Sequence, residues 1–209
     1  PRPAQVEALA SLAKKRESGV ARSAVIAATG LGKTHLAAFD FRQSGCRRLL
    51  FLAHVQNILD QAREVFRAVL GRPDFGVMLS GTADPVERAA AADGQSGVFA
   101  MVQTISRPEE LDGFDRAAFD YVVIDEFHHA AASSYERVLR HLQPQFLLGL
   151  TATPERMDGR DVLRLCDYAV AYEPRLSDAF DRGWLVPFQN FPIYDPPDYS
   201  QTRWTQRGY

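Results

Sequence analysis

The sequence is poor in cysteine and has no long apolar run. Its 209 residues include only Cys46 and Cys166, which are too far apart for a metal-binding or redox motif and which indicate a reducing compartment. No stretch approaches the roughly 20 apolar residues of a membrane-spanning helix, and no signal or targeting segment opens the chain. We therefore expect a cytoplasmic protein without a membrane partner.

Neither sign of charge dominates. Lys and Arg together number 24 and Asp and Glu 26, a formal net charge of −2, so any contact with nucleic acid has to come from a local patch. Hydrophobic residues make up 46% and charged residues 24% of the chain, an ordinary globular composition that excludes disorder and collagen-like structure as the main state. Because the first residue is Pro1 and not methionine, we expect the chain to be part of a longer protein.

Short aliphatic runs alternate along the chain with amphipathic stretches. The runs predict strands at residues 23–28, 48–53, 75–79, 97–102, 120–124 and 146–150. The stretches predict helices at residues 5–16, 33–43, 56–70, 84–92 and 133–141. This alternation predicts an α/β fold in three layers, a parallel β-sheet between two layers of helices, with ligands at the carboxyl ends of the strands.

The segment AATGLGKT, which begins at Ala27, follows a predicted strand and opens a predicted helix. In that context Gly30 and Gly32 let backbone N–H groups point at phosphate oxygens, Lys33 supplies a charge for them, and Thr34 offers a hydroxyl to Mg²⁺. Ala27 stands where the general phosphate-loop pattern has its first glycine. The alternative is a glycine-rich turn that carries a surface Lys-Thr pair.

The segment DEFH, which begins at Asp125, ends another predicted strand. Asp125 there could hold Mg²⁺ opposite Thr34, and Glu126 could polarise the attacking water; the alternative is a solvated strand end. For His128 we favour a hydrogen-bonding link between the ATP site and the next loop, since no Cys or His spacing completes a zinc site. His129 could equally cap the helix that follows.

Three segments occur in the order of the motifs of a known family. They are AATGLGKT at 27–34, DEFH at 125–128 and TATP at 151–154. In these segments the chain resembles the first RecA-like domain of superfamily two helicases and translocases of the DExH type. The three segments correspond in order to motifs I, II and III of that family. The similarity is greatest to the bacterial subgroup that includes the motor parts of type III and type I restriction enzymes.

Weaker matches extend the resemblance over nearly the whole chain. RPAQ at 2–5 is similar to the element that reads adenine, and LAH at 52–54, followed by the helix with Gln61, is similar to motif Ia. MVQTI at 101–105 resembles a loop that touches the nucleic-acid backbone. DRGWLVP at 181–187 looks like the exit from the domain.

The resemblance implies a set of functional residues. The expected ATP-binding residues are Arg2, Gln5, Thr29, Gly30, Leu31, Gly32, Lys33 and Thr34. Lys33, Asp125 and Glu126 are the expected catalytic residues, with Thr34 and Asp125 as ligands of Mg²⁺. Coupling of the nucleotide site to movement is assigned to His128, Thr151 and Thr153. The expected nucleic-acid contacts are Ala53, His54, Gln103 and Thr104.

The resemblance also implies a second domain. Residues 1–190 are expected to form the first RecA-like domain, and residues 191–209 the start of a linker toward a second one. That second domain would carry the arginine fingers, because Arg156 and Arg160 belong to the same domain as the phosphate loop and are better explained as surface residues. By itself the 209-residue chain should therefore be nearly inactive.

The sequence leaves three functions open. The favoured one is the ATP-binding half of a nucleic-acid-dependent ATPase motor, a helicase or translocase that uses ATP and Mg²⁺ on DNA rather than RNA. The choice of DNA rests on the similarity to restriction-type motors alone. The second is a P-loop ATPase switch or enzyme with no nucleic-acid partner. The third is a degenerate domain that binds no nucleotide, against which Lys33, Asp125 and Glu126 argue.

Overall fold

A computed structural model of the chain describes residues 1–28, 30–79, 97–126, 133–152 and 162–174. The strands are Arg22–Ile26 (β1), Leu49–Ala53 (β2), Val77–Leu79 (β3), Gly97–Met101 (β4), Tyr121–Ile124 (β5), Phe146–Thr151 (β6) and Val170–Tyr172 (β7). The helices are Pro3–Glu17 (α1), Lys33–Ser44 (α2), Gln56–Leu70 (α3), Val102–Ile105 (α4), Pro108–Leu111 (α5) and Ser133–His141 (α6), followed by a 3₁₀-helix at Val162–Cys166.

The seven strands form one sheet in the order β3-β4-β2-β5-β6-β1-β7. Every strand pair in the described residues is parallel, so the loops that follow the strands emerge at one edge of the sheet. The central strands are in simple register, with Leu52 on β2 opposite Ile124 on β5 and Ala53 opposite Met101 on β4. The predicted parallel α/β fold is confirmed.

Side chains of successive strand residues enter two different apolar layers, as a pleated strand requires. On β2, Phe51 faces the layer that contains α1, α2 and α3, whereas Leu50 and Leu52 face the layer that contains α4, α5 and α6. A strand buried on both faces has to be continuously apolar, which explains the sequence LLFLA. These two layers of helices give the three-layer arrangement that the sequence predicts.

Seven aromatic rings fill much of the first layer. They belong to Phe41, Phe51, Phe66, Phe75, Phe99, Tyr121 and Phe146, with neighbouring centroids 5.5–6.4 Å apart. Rings at these separations contribute packing energy beyond the area that they bury. They fix α2 and α3 against the sheet beside the loop that links β1 to α2.

A buried charge network lies in this layer, in the half of α2 that is remote from the phosphate loop. Asp40 on α2 is fully buried, forms an ion pair of 2.5 Å with Arg16 on α1 and accepts a hydrogen bond from the Tyr121 hydroxyl on β5. Burial, with the adjacent Asp40 carboxylate, raises the pKa of Tyr121, so this hydroxyl remains a donor. The network ties together three elements of the fold.

Four short elements were not predicted from the sequence. They are α4, α5, the 3₁₀-helix and β7, with three to five residues each. Segments this short hold no full period of apolar residues, so only their packing reveals them. The predicted strand at 97–102 ends at Met101 because the chain turns directly into α4. The predicted helix at 84–92 and the boundary at residues 190 and 191 lie outside the described residues.

None of the described helices has the length and apolar character needed to cross a membrane.

Candidate nucleotide-binding site

An open cavity of about 570 Å³ lies at the edge of the sheet where β1 and β5 end. Its volume is in the usual range of small-ligand sites. The walls comprise the start of α1, the loop before α2, the exposed sides of α2 and α3, and the residues after β5. The lining residues are Pro1, Arg2, Gln5, Gly30, Gly32, Lys33, Thr34, His35, Phe39, Ile58, Gln61, Asp125 and Glu126.

The loop after β1 depends on glycine for its shape. Gly30 and Gly32 have φ values of 92° and 75°, in the region that residues with a Cβ rarely adopt. At Gly32 a Cβ would also lie only 2.6 Å from the Gln5 Nε2 atom. Gly32 caps the amino terminus of α2, whose first-turn N–H groups and positive dipole end suit a bound phosphate. The buried Leu31 anchors the loop in the first apolar layer.

Lys33 is the first residue of α2, and its side chain lines the cavity. Its Nζ donates a hydrogen bond of 3.1 Å to the Ala27 carbonyl oxygen, which holds the ammonium over the loop. Ala27 is buried, and its N–H donates to the Thr151 carbonyl at 2.9 Å. The segments named motif I and motif III in the resemblance are thus joined directly through the backbone.

Arg2 and Gln5 fasten the start of α1 to the phosphate loop. The buried Gln5 amide accepts a hydrogen bond from the Arg2 N–H at 2.7 Å and donates to the carbonyls of Leu31 and Gly32, at 3.3 and 3.0 Å. The Arg2 guanidinium donates to the Gly30 carbonyl at 3.0 Å. In this arrangement the Gln5 amide supports the loop, and its role in reading adenine remains a prediction.

The two acids after β5 line the cavity opposite the phosphate loop. Asp125 is buried, its N–H donates to the Leu52 carbonyl at 2.9 Å, and its carboxylate accepts from the Glu126 N–H at 3.0 Å. Glu126 has a φ of 51°, a left-handed conformation that is uncommon outside glycine and that tends to persist at functional sites. Through this turn the consecutive side chains of Asp125 and Glu126 line the same cavity.

The chemistry of these side chains fits Mg²⁺. Burial raises the pKa of the Asp125 carboxyl, and the Glu126 charge adds to this, while Lys33 and His54 oppose it; a cation would offset the penalty of keeping the carboxylate charged. The Thr34 hydroxyl lines the same cavity. Among the described residues no group of three or more His, Cys, Asp or Glu side chains could hold a metal ion. Mg²⁺ needs no such group, since it keeps several of its waters.

The residues expected at nucleic acid lie at the ends of two neighbouring strands. Ala53 ends β2 opposite Met101 on β4, so that His54 and Gln103 follow adjacent strands. Gln103 is exposed and His54 half-buried, whereas the side chains of Ala53 and Thr104 are buried. Ala53 therefore offers only its backbone at this edge. Of the two expected residues in α4, Gln103 is the one with an exposed side chain.

Several residues singled out in the sequence, three of them expected site residues, lie outside the described residues. They are Thr29, His128 and Thr153, together with Arg156, Arg160 and the segment at 181–187. Of the residues assigned to coupling, the structure describes only Thr151, which is fully buried at the end of β6.

The sequence interpretation missed part of the cavity wall. His35 and Phe39 are one helical turn apart on α2, and Ile58 and Gln61 are similarly spaced on α3. That spacing places each pair on one helix face, but only the packing of α2 against α3 shows that both faces meet at the cavity.

A parallel sheet with a glycine-rich phosphate loop after β1 and an acid pair after β5 defines a RecA-like P-loop nucleotide-binding domain. The family described as "Type III restriction enzyme, res subunit" matches residues 1–156. The chain belongs to this family, which confirms the resemblance inferred from the three motifs.

Relatives agree with this assignment. The Saccharomyces cerevisiae protein that carries the name ATP-dependent helicase IRC3 is 27% identical over 218 residues, covering 96% of this chain and 30% of that protein. The type I restriction enzyme EcoAI endonuclease subunit of Escherichia coli is 29% identical over 204 residues, covering 90% of this chain and 24% of that protein. This chain therefore spans less than a third of the length of either relative.

The fold is shared with a solved helicase domain. The Hef helicase domain of Pyrococcus furiosus superposes with a TM-score of 0.63 at 22% identity, covering 79% of this chain and 37% of that one. At this identity the likeness concerns the fold, and it supports the RecA-like arrangement.

Replacing Gln5 with alanine is expected to raise the KM for ATP by about tenfold, because the loop loses two hydrogen bonds from a buried amide. Steady-state kinetics of the full-length protein with ATP and with GTP would measure this. If Gln5 also reads adenine, the preference for ATP over GTP falls; if it only supports the loop, both KM values rise together. The matched control is Gln43→Ala at the exposed end of α2, and an unchanged KM in Gln5→Ala would contradict the prediction.

Proposed function

We propose that this chain is the ATP-binding half of a nucleic-acid-dependent ATPase motor, a helicase or translocase that works on DNA. The observation that carries the proposal is the meeting of Lys33, Thr34, Asp125 and Glu126 in one cavity, from loops about ninety residues apart in sequence. Phosphate-binding groups and acids that suit a metal and a water thus face the same space. This is the arrangement that phosphoryl transfer to water requires.

The residues divide the work between binding and chemistry. Backbone amides at the start of α2 and the Lys33 ammonium hold the phosphates of ATP. The Thr34 hydroxyl and the Asp125 carboxylate would hold Mg²⁺, which when bound neutralises negative charge on the phosphates. The Glu126 carboxylate orients the attacking water and accepts a proton from it. In the reaction, water adds to the γ-phosphorus and the bond from that phosphorus to the bridging oxygen of ADP breaks.

The site forms one side of a cleft. Its cavity is open, and among the described residues no arginine other than Arg2 lines it. Arg2 donates to the loop carbonyl of Gly30 and so supports the loop rather than the leaving phosphate. We propose that a second RecA-like domain, beyond a linker that begins near residue 191, closes the cleft and supplies arginines to the transition state.

The nucleic-acid partner is proposed to bind at the edge formed by β2 and β4. His54 and the exposed Gln103 follow these strands, and backbone groups there could bind phosphates without reading sequence. A local patch of this kind is compatible with a net charge of −2. DNA is favoured over RNA because the family and one relative carry the names of restriction enzymes. A cytoplasmic location remains part of the proposal.

Adding DNA is expected to increase ATP turnover by the full-length protein severalfold, because nucleic acid would favour the closed, catalytic arrangement of the two domains. The measurement compares phosphate release without nucleic acid and with single-stranded DNA, duplex DNA or RNA of matched length. Heparin is the control for polyanion binding alone. Stimulation by RNA and not by DNA would change the partner, and equal rates in all conditions would favour an ATPase switch without a nucleic-acid partner.

A further inference from the structure

Tyr135 on α6 has a buried hydroxyl that the proposed mechanism does not use. Its side chain is 2% exposed and packs in the second apolar layer, which also contains Leu52 and Ile124. Among the described residues the hydroxyl oxygen has no hydrogen-bond partner. A buried hydroxyl in this state is unfavourable and uncommon in native structures. A conformation in which a hydrogen-bond partner comes within reach of the hydroxyl is therefore favoured.

The Tyr135 ring shares its layer with the strand that leads to the acids of the nucleotide site. Ile124, which packs in the same layer as Tyr135, directly precedes Asp125 on the chain. Burial raises the pKa of Tyr135, and the negative charges of Asp125 and Glu126 raise it further. The hydroxyl is therefore a donor, and it feels the charge of two carboxylates that can accept hydrogen bonds.

The same helix contacts the turn that is proposed to meet nucleic acid. The Arg137 guanidinium donates a hydrogen bond of 3.0 Å to the Ser106 carbonyl, directly after α4. Helix α4 carries Gln103 and the buried Thr104. Helix α6 thus shares a layer with the strand that leads to the acids and is hydrogen-bonded to the turn proposed to meet nucleic acid.

Further contacts fix α6 in the fold. Val138 and Leu139 are buried in the second apolar layer. On the outer face Glu136 pairs with Arg140 at 2.8 Å and with Arg164 at 3.6 Å. Tyr135 and Arg137 are two residues apart on this helix, so a displacement of one is carried to the other, because close-packed side chains do not absorb it.

We propose that Tyr135 is a positioning residue, whose hydroxyl donates to the Asp125–Glu126 turn in the conformation that hydrolyses ATP, and that α6 couples this turn to α4. The coupling rests on the proposed nucleic-acid-dependent function. Nucleic acid that displaces α4 would move α6 through the Arg137–Ser106 bond. The hydroxyl would then orient the Glu126 carboxylate toward the attacking water.

Changing Tyr135 to phenylalanine in the full-length protein tests the proposal, since it keeps the ring and removes only the hydroxyl. We expect nucleic-acid-stimulated turnover to fall by about tenfold or more, as for a lost hydrogen bond to a charged group, while the KM for ATP is unchanged. The thermal midpoint should be unchanged or higher, because the variant removes a hydroxyl without a partner. A residue that serves only packing would not produce this combination.

Tyr121→Phe is the matched control. It removes a hydroxyl that is hydrogen-bonded to Asp40 at the far end of α2. We expect the reverse pattern, a lower thermal midpoint with unchanged turnover per folded molecule.

Arg137→Ala tests the coupling. It should reduce stimulation by nucleic acid, and the double variant with Tyr135→Phe should be no worse than the more impaired single variant, because both act on one route. The proposal is overturned if Tyr135→Phe turns over like the wild type, or if its turnover falls only in step with its thermal midpoint. If the fold-losses of turnover in the two single variants multiply in the double variant, the coupling through α6 is overturned. If nucleic acid does not stimulate the wild type, the proposed function fails, yet a fall of basal turnover in Tyr135→Phe would still support its positioning role.

Discussion

Replacing Lys33 with alanine is expected to reduce ATP turnover by the full-length protein to background, a loss of about 10²–10³-fold or more. Lys33 starts α2, and its ammonium lies over the phosphate loop, where it donates to the Ala27 carbonyl at 3.1 Å. The phosphates would lose their main side-chain charge, while the backbone amides at the helix start remain. Affinity for ATP should therefore weaken together with turnover, because Lys33 contacts the ground state and the transition state.

Phosphate release and binding of a fluorescent ATP analogue measure the two effects separately. The matched control is Lys14→Ala, which removes an exposed lysine from the last turn of α1 and should leave both quantities unchanged. A Lys33→Ala variant that hydrolysed ATP at the normal rate would refute the assignment of the phosphate loop.

Replacing Glu126 with glutamine is expected to lower kcat by about 10²–10⁴-fold while nucleotide binding is retained. The amide keeps the size of the side chain and cannot accept a proton from the attacking water. The proposed ligands of Mg²⁺, Thr34 and Asp125, are unchanged, so the ground-state complex should still form. The left-handed backbone at Glu126 is also compatible with the substitution, because glutamine has the same Cβ as glutamate.

Asp125→Asn provides the contrast that separates the two acids. It should weaken binding of the nucleotide in the presence of Mg²⁺, since a carboxylate ligand becomes a neutral amide. Glu109→Gln, at an exposed position of α5, is the matched control and should be neutral. If Glu126→Gln lost binding and kept its turnover per bound ATP, the roles of the two acids would have to be exchanged.

Tyr135 and Gln5 are proposed to position other groups, whereas Lys33 and Glu126 are proposed to act on the substrates themselves. Lys33 and Glu126 are proposed to touch ATP or the attacking water, so the effect of replacing either should be large and direct. Gln5 acts on the loop through the Leu31 and Gly32 carbonyls, and Tyr135 is proposed to act through Glu126. Effects of about tenfold are expected for both, since each supports a group that remains present.

The sequence by itself determined the parallel α/β class and the order of the large elements along the chain, and it predicted the phosphate loop. The run at 48–53 predicts a strand, which the structure has at Leu49–Ala53, and the 56–70 stretch is a helix with these same bounds in the structure. The motif AATGLGKT was informative because, apart from Ala27 at the first glycine position, its consecutive residues supply glycines that take a positive φ, a charge and a hydroxyl. Because these requirements fall on consecutive residues, they produce a motif that can be identified in the sequence.

Only the tertiary structure decided which distant residues meet. The Gln5 amide bonds to carbonyls that are 26 and 27 residues away, and Tyr135 on α6 shares the second apolar layer with Ile124, the residue before Asp125. The left-handed turn at Glu126 and the cavity wall formed by Phe39 and Ile58 have no local signature either. The physical reason is that side-chain packing between elements is set by the whole core, whereas a sequence pattern reports only the conformation and chemistry of neighbours along the chain.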